Sequence, residues 1–180
     1  DGENMQINLE VSFDNQTGSA STNQIDEESL EELVDVAENI ALLNKPDPEY
    51  VESEKAHKLR KLVKPATATT DLAIKEMVSG IKKCVDNANK KKAKVSGISQ
   101  KQLSEQYMLT KNGFEGYDER ASFSHSMTMK KEGIETKVSG SVQDYNSFSM
   151  KDMIDQLNEQ FDSLQEPKKL EKGKIPVIMR

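Results

Sequence analysis

"KNGFEGYDERASFSHSMTM", residues 111–129, is the stretch that decides the fold. Asn112-Gly113 is a turn signal, because Gly takes a positive φ without steric cost and Asn tolerates one. Ser122, Ser124, Ser126 and Thr128 then occupy alternate positions, and Phe123, His125, Met127 and Met129 fill the places between and after them. Side chains of a strand alternate between two faces. The period of two therefore puts the hydroxyls on one face and the apolar residues with His125 on the other. Residues 121–130 read as a half-buried strand. Segments 93–99, 103–110 and 134–143 have similar composition and extend it into an antiparallel sheet, with a second turn at Glu132-Gly133.

Towards the N-terminus, Met5, Ile7, Leu9, Val11 and Phe13 alternate with Gln6, Asn8, Glu10 and Ser12, the pattern of another half-buried strand. Residues 14–18 form a turn, and "SAST" (19–22) is expected to pair back. Asp26 is a suitable N-cap, with Glu27 and Glu28 placed where the helix dipole favours carboxylates. Leu30, Leu33, Val34, Ala37, Ile40 and Ala41 follow at helical spacing, and Asn44, Pro46 and Pro48 stop that helix.

Residues 45–68 hold three of the five prolines and read as a crossing loop, with a weak helical turn expected around residues 54–63. The next helix is expected to start at residues 69–71. Its apolar stripe is Ile74, Met77, Val78, Ile81, Val85 and Ala88, with Cys84 beside it as a small core residue. Ser149, with Asp152 three residues on, has the form of a capping box opening a last helix. Met150, Ile154, Leu157, Phe161 and Leu164 are its buried stripe, and residues 175–179 read as a short buried strand. The whole is α+β: helices packed on an antiparallel or mixed sheet, in one domain covering residues 1–180.

The net charge is −6 and the pI about 5.1, the wrong sign for a protein that tracks a phosphate backbone. Residues 26–38 carry seven carboxylates and no base, and residues 75–94 carry seven lysines against two acids. Such blocks are solvated helix faces, and no aromatic residues interleave the lysines to stack on bases. One cysteine excludes an internal disulfide framework and fits a reducing compartment. No apolar run has membrane-spanning length and no signal peptide is present, so a cytoplasmic chain is expected, without nucleic-acid or membrane partners.

No autonomous active site is legible. The two histidines, His57 and His125, stand far apart, and HExxH, CxxC, GxSxG and the glycine-rich phosphate loops are all missing. Ser124 and Ser126 flank His125, but strand neighbours point to opposite faces, so neither hydroxyl can reach that imidazole. Catalytic residues and metal ligands are therefore both read as none, binding residues are left unassigned, and the chain alone is expected to be inactive.

Three stretches resemble one family in register. "DNQTGSASTNQIDEESLEELVDVAENIALLNKPDPEY" (14–50) is similar to its strand, Gly-containing turn, helix and "DP" loop. "YMLTKNGFEGYDERASFSHSMTM" (107–129) is similar to its Asn-containing turn and Ser-rich strand. "KGKIPVIMR" (172–180) is similar to its "G.ypVil.p" strand. The chain thus resembles the TldD/PmbA family, also called peptidase U62 or modulator of DNA gyrase.

That resemblance implies a cytoplasmic, two-subunit zinc metalloprotease that cleaves unfolded or extended peptides. The TldD-type subunit carries the HExxxH zinc helix and the PmbA-type partner lacks it. The helix would follow the strand matched by residues 175–179, so the chain is expected to be an N-terminal portion excised from a longer protein. No zinc ligand carries over; zinc would belong to the intact protein or its partner. The implied partners are a TldD/PmbA-like subunit, as homo- or hetero-dimer, and extended peptides. The implied role is subunit contacts and a peptide chamber, and the alternative is a non-catalytic PmbA-type scaffold, towards which the Ser-rich turn and "DP" loop lean.

Overall fold

A computed structural model describes residues 2–59 and 62–165 together with 173, 174 and 176. Of the expected strand at 175–179 only residue 176 is among the described residues, so that expectation lies outside them. The chain's contacts fall into two compact units, Asp1–Glu54 and Lys55–Arg180. Each is described by itself.

In the first unit β1 (Ile7–Phe13) and β2 (Gln16–Thr22) form an antiparallel hairpin, and α1 (Glu27–Leu43) packs on it. Asp14 and Asn15 both take positive φ (48° and 65°), as a two-residue hairpin turn requires. Asp26 caps α1 as expected, accepting from the Ser29 backbone N–H at 3.0 Å. At the other end Asn44 Nδ2 donates to Thr17 O at 2.8 Å and ties the helix terminus to β2. Hairpin and helix meet through small residues. Gly18 is buried, and a Cβ there would lie 2.2 Å from Ala37 O and 2.3 Å from Ala41 N. Leu33, Ala37 and Ala41 are the buried positions of α1.

The second unit begins with the short helix α2 (Thr67–Thr70) and then α3 (Ile74–Lys90). Of residues 54–63, those described form no helical turn; the turn forms at α2 instead. The strands β3 (Lys94–Leu109), β4 (Glu115–Lys131) and β5 (Ile134–Val142) pair in the order β3-β4-β5, purely antiparallel, and α4 (Met150–Ser163) follows. The fold is α+β, as the sequence implies. Segments 93–99 and 103–110, read as two strands, are one continuous strand. Gln100, Lys101 and Gln102 between them include no residue that terminates pairing, and the register runs unbroken from Lys94↔Lys130 to Leu109↔Glu115. Gly113 (φ 83°) closes one hairpin and Glu132-Gly133 (φ 50° and 85°) the other.

Both long helices lie on one face of this sheet, α3 against β3 and α4 against β5. The core joins Cys84 and Ala88 of α3 to Met127 and Met129 of β4, Val138 of β5, and Leu157 and Phe161 of α4, together with Ala93. Asn87 and Asn158 exchange side-chain hydrogen bonds at 2.9 and 3.1 Å between the helices, and Lys91 Nζ donates to both carboxylate oxygens of Asp162. Ser149 caps α4 by accepting from the Asp152 N–H at 3.1 Å.

One expectation holds only in part. Ala88, and Cys84 beside the stripe, are buried as expected, but Ile74, Val78, Ile81 and Val85 are 40–58% exposed, and the buried stripe of α3 is Gly80, Cys84 and Ala88. Small residues let the helix approach closely: a Cβ on Gly80 would stand 2.9 Å from Met150 Cε. α3 also starts at Ile74 rather than at residues 69–71. Thr69 belongs to α2, fully buried, where Oγ1 donates to Gln143 O and accepts from the Tyr145 N–H, both at 2.8 Å.

Candidate functional site

β4 presents two chemically different faces, as its alternation requires. Ala121, Phe123, His125, Met127 and Met129 are buried, and Ser122, Ser124, Ser126 and Thr128 are half-buried on the opposite face. There Ser124 pairs with Ser141 and Ser126 with Ser139. A shallow depression of about 290 Å³, bordered by Ile98, His125, Gly140 and these serines, lies over them, and the His125 imidazole is engaged on the other side of the sheet by Ser99 and Cys84. The lining residues supply no carboxylate or ammonium group, so this is a surface for hydrogen bonding rather than one that activates a nucleophile.

On the inner face His125 is only 3% exposed. Ser124 and Ser126 point away from it, as the sequence reading required. Its hydrogen-bond partner is Ser99, whose Oγ lies 2.7 Å from Nδ1. Nε2 faces Cys84 Sγ at 3.8 Å. Sequence reasoning missed this triple, although half of it was legible. Every β3–β4 pair is centred on Asn112, so counting outward from that turn puts Ser99 opposite His125. Cys84 arrives by the packing of α3, which no local signal announces.

A hydroxyl, an imidazole and a thiol in sequence are the parts of a nucleophilic relay, but the electrostatics oppose one. Burial pushes the Cys84 thiol above its ordinary value and holds the His125 imidazole below its own. Both groups are neutral at pH 7, and Cys84 is 5% exposed. The pairing does not generate a thiolate nucleophile, and both side chains sit in the core, as the sequence reading of Cys84 has it.

The same shifts give stability a maximum. The unfolded His125 binds a proton at its ordinary 6.5, before the folded one does. Stability is therefore lost as the pH falls through 6.5 and stops falling below the lower folded value. The unfolded Cys84 loses its proton before the folded one, so stability is lost again as the pH rises through the ordinary thiol value, 9.0. Denaturant midpoints measured from pH 5 to 10 should peak between these limits, and His125→Gln should flatten the acid limb. An acid limb unchanged by that substitution would contradict the assignment.

The third feature is the edge of the sheet. β3 pairs only with β4, so the other side of its sixteen residues is free of strand partners among the described residues. Such an edge is a template for an added strand, and proteins guard it with inward-pointing charge. Here Lys101 points inward, its Nζ donating at 3.0 Å to the carbonyls of Thr70 and Leu72. Beyond it the β3–β4 hairpin continues as an arm whose Leu103, Tyr107, Met108 and Leu109 are exposed. On this arm Glu105 stands opposite Glu119, and Tyr107 opposite Tyr117. The Tyr107 and Tyr117 hydroxyls donate to Glu115 and Glu119, which hold both phenols above their ordinary value. At the tip Ala56 N–H donates to Asn112 O at 3.2 Å, and His57 lies against Phe114 with centroids 5.1 Å apart.

Among the described residues no three His, Cys, Asp or Glu side chains are grouped to hold a metal ion, and no helix is long and apolar enough to cross a membrane.

No protein-family model and no curated protein matches the sequence. Solved structures do match. TldE from Thermococcus kodakarensis is similar over 87% of this chain and 42% of its own, with a TM-score of 0.66 at 19% identity. A protein described as a "putative modulator of DNA gyrase" from Bacteroides thetaiotaomicron is similar over 86% of this chain and 38% of its own (TM-score 0.71, 21% identity). A Thermotoga maritima protein of the same description matches over 94% and 40% (TM-score 0.71, 15% identity).

The chain has the TldD/PmbA fold. It spans about two fifths of the length of each of these proteins. At these identities the likeness speaks for the fold, and the resemblance read from residues 14–50 and 107–129 is borne out at that level. In the TldD/PmbA fold of this chain, the hydroxyl face, the buried Ser99–His125–Cys84 triple and the free β3 edge are the features that function has to work with.

Proposed function

We propose that this chain is the N-terminal domain of a TldD/PmbA-family protein, a cytoplasmic two-subunit zinc metalloprotease acting on extended peptides. Its part is to contribute subunit contacts and a wall of the peptide chamber, with the metal held elsewhere. The likeness of 86–94% of the chain to TldE and to two proteins described as gyrase modulators carries this reading. The free β3 edge supplies the means, since an extended peptide gains affinity from main-chain hydrogen bonds and specificity from alternate side-chain positions. Direct contact with DNA has no place in this role for a chain of net charge −6.

The second reading is a non-catalytic PmbA-type partner that binds peptide or a TldD-like subunit and holds no zinc. It draws on the Ser-rich turn and "DP" loop within residues 14–50. The two separate on the zinc content of the full-length protein purified without chelator, measured beside hydrolysis of an unfolded polypeptide. Stoichiometric zinc with hydrolysis supports the peptidase. A folded, zinc-free protein that becomes active only with a TldD-like subunit supports the partner. A folded protein that does neither overturns both.

A further inference from the structure

Cys84 Sγ is surrounded by more acceptors than its one proton can serve. Gly80 O lies at 3.4 Å, Met150 Sδ at 3.3 Å and His125 Nε2 at 3.8 Å. That last contact is the only hydrogen-bond contact of Nε2 among the described residues, and His125 is 3% exposed. Ser99 Oγ engages Nδ1 at 2.7 Å from the far side. When Nδ1–H donates to Ser99, the Nε2 lone pair is directed at the sulfurs; a second hydrogen bond of this kind is how metal-binding histidines are oriented.

We propose that Cys84, His125 and Met150 form a binding site for a soft monovalent ion, copper(I). Thiolate, thioether and neutral imidazole are the donor set that such an ion prefers. Bonds of about 2.3 Å to sulfur and 2.0–2.1 Å to nitrogen separate the ligands of a planar three-coordinate site by about 3.8 Å for S···N and 4.0 Å for S···S. The Sγ···Nε2 distance already has that value. Met150 has to withdraw by about 0.7 Å, a small adjustment for an unbranched side chain on the half-exposed first turn of α4.

Charge decides between ions. Binding replaces the thiol proton: Cys84–SH and Cu⁺ give Cys84–S–Cu and H⁺, a neutral unit in a buried site. A divalent ion with one thiolate would leave a net positive charge there without a carboxylate to offset it, which burial disfavours.

The test is titration of the reduced protein with copper(I), under anaerobic conditions, against bicinchoninate as competitor. The expected result is one copper(I) retained per chain, with an ultraviolet thiolate-to-copper charge-transfer band. Cys84→Ala, which keeps a small residue at a buried helix position, should abolish retention. Volume-conserving Met150→Leu should weaken it, and Ser99→Ala should weaken it about 10–100-fold through loss of imidazole orientation. Circular dichroism confirms that each variant is folded. Less than one copper per chain, or retention unchanged in Cys84→Ala, overturns the site. Cys84-dependent retention of zinc offered alone overturns its assignment to a monovalent ion.

Discussion

Gly18→Val should unpack the N-terminal unit. The added Cβ would stand 2.2 Å from Ala37 O and 2.3 Å from Ala41 N, both main-chain atoms of α1, so no rotamer change relieves the overlap. Relief requires the helix to lift off the hairpin, which exposes Leu33, Ala37 and Ala41, the buried side chains of that helix. Overpacking of this kind costs about 1–3 kcal/mol where side chains can yield, and the upper end applies where backbone must move. A helix on a two-stranded hairpin has little stability to spare, because small units bury a low fraction of their surface. The expected result is loss of amide protection along Glu27–Leu43 with β3–β5 unchanged. Retained protection in α1 would contradict this packing.

Phe161→Ala should cost the second unit about 3–5 kcal/mol, the range for emptying a phenylalanine site that cannot collapse. Phe161 is 0% exposed and joins α4 to a core otherwise built from methionines, small residues, Val138 and Leu157. Lys91 Nζ lies 6.0 Å from the ring centre while its charge is paired with Asp162, so the substitution also removes the surface over which the inter-helix ion pair lies. The denaturant midpoint should fall sharply with little change in slope. A loss below about 1 kcal/mol would show that the site refills and that α4 is not anchored there.

Much of this architecture was legible because the signals are local. The caps at Asp26 and Ser149 and the turns at Asn112-Gly113 and Glu132-Gly133 each act within a few residues, and each is realised. The alternation read over residues 5–13 forms a strand over Ile7–Phe13, with Met5 outside it and Phe13 exposed. The failures involve partners distant in sequence. Periodicity identifies α3 as amphipathic, but the helix has two adjacent candidate faces, and the small-residue one wins because Gly80 admits the Met150 side chain. Ile74, Val78, Ile81 and Val85 are left outside. The polar run at residues 100–102 breaks the apolar alternation without any turn residue, so pairing continues through it and β3 is one strand. With that strand whole, its register from Asn112 places Ser99 on His125. Only Cys84, delivered by helix packing, stays beyond the reach of pattern.

Amide hydrogen exchange in the full-length protein, with and without a saturating extended peptide, tests the central claim most directly. Among the described residues β3 has no strand partner on the side away from β4, so alternate amides of Lys94–Leu109 should slow on peptide binding. Those of the other edge strand, Ile134–Val142, should keep their rates. A peptide shown to be bound, with exchange in β3 unaltered, would contradict the proposal that this domain holds extended peptides along its sheet edge.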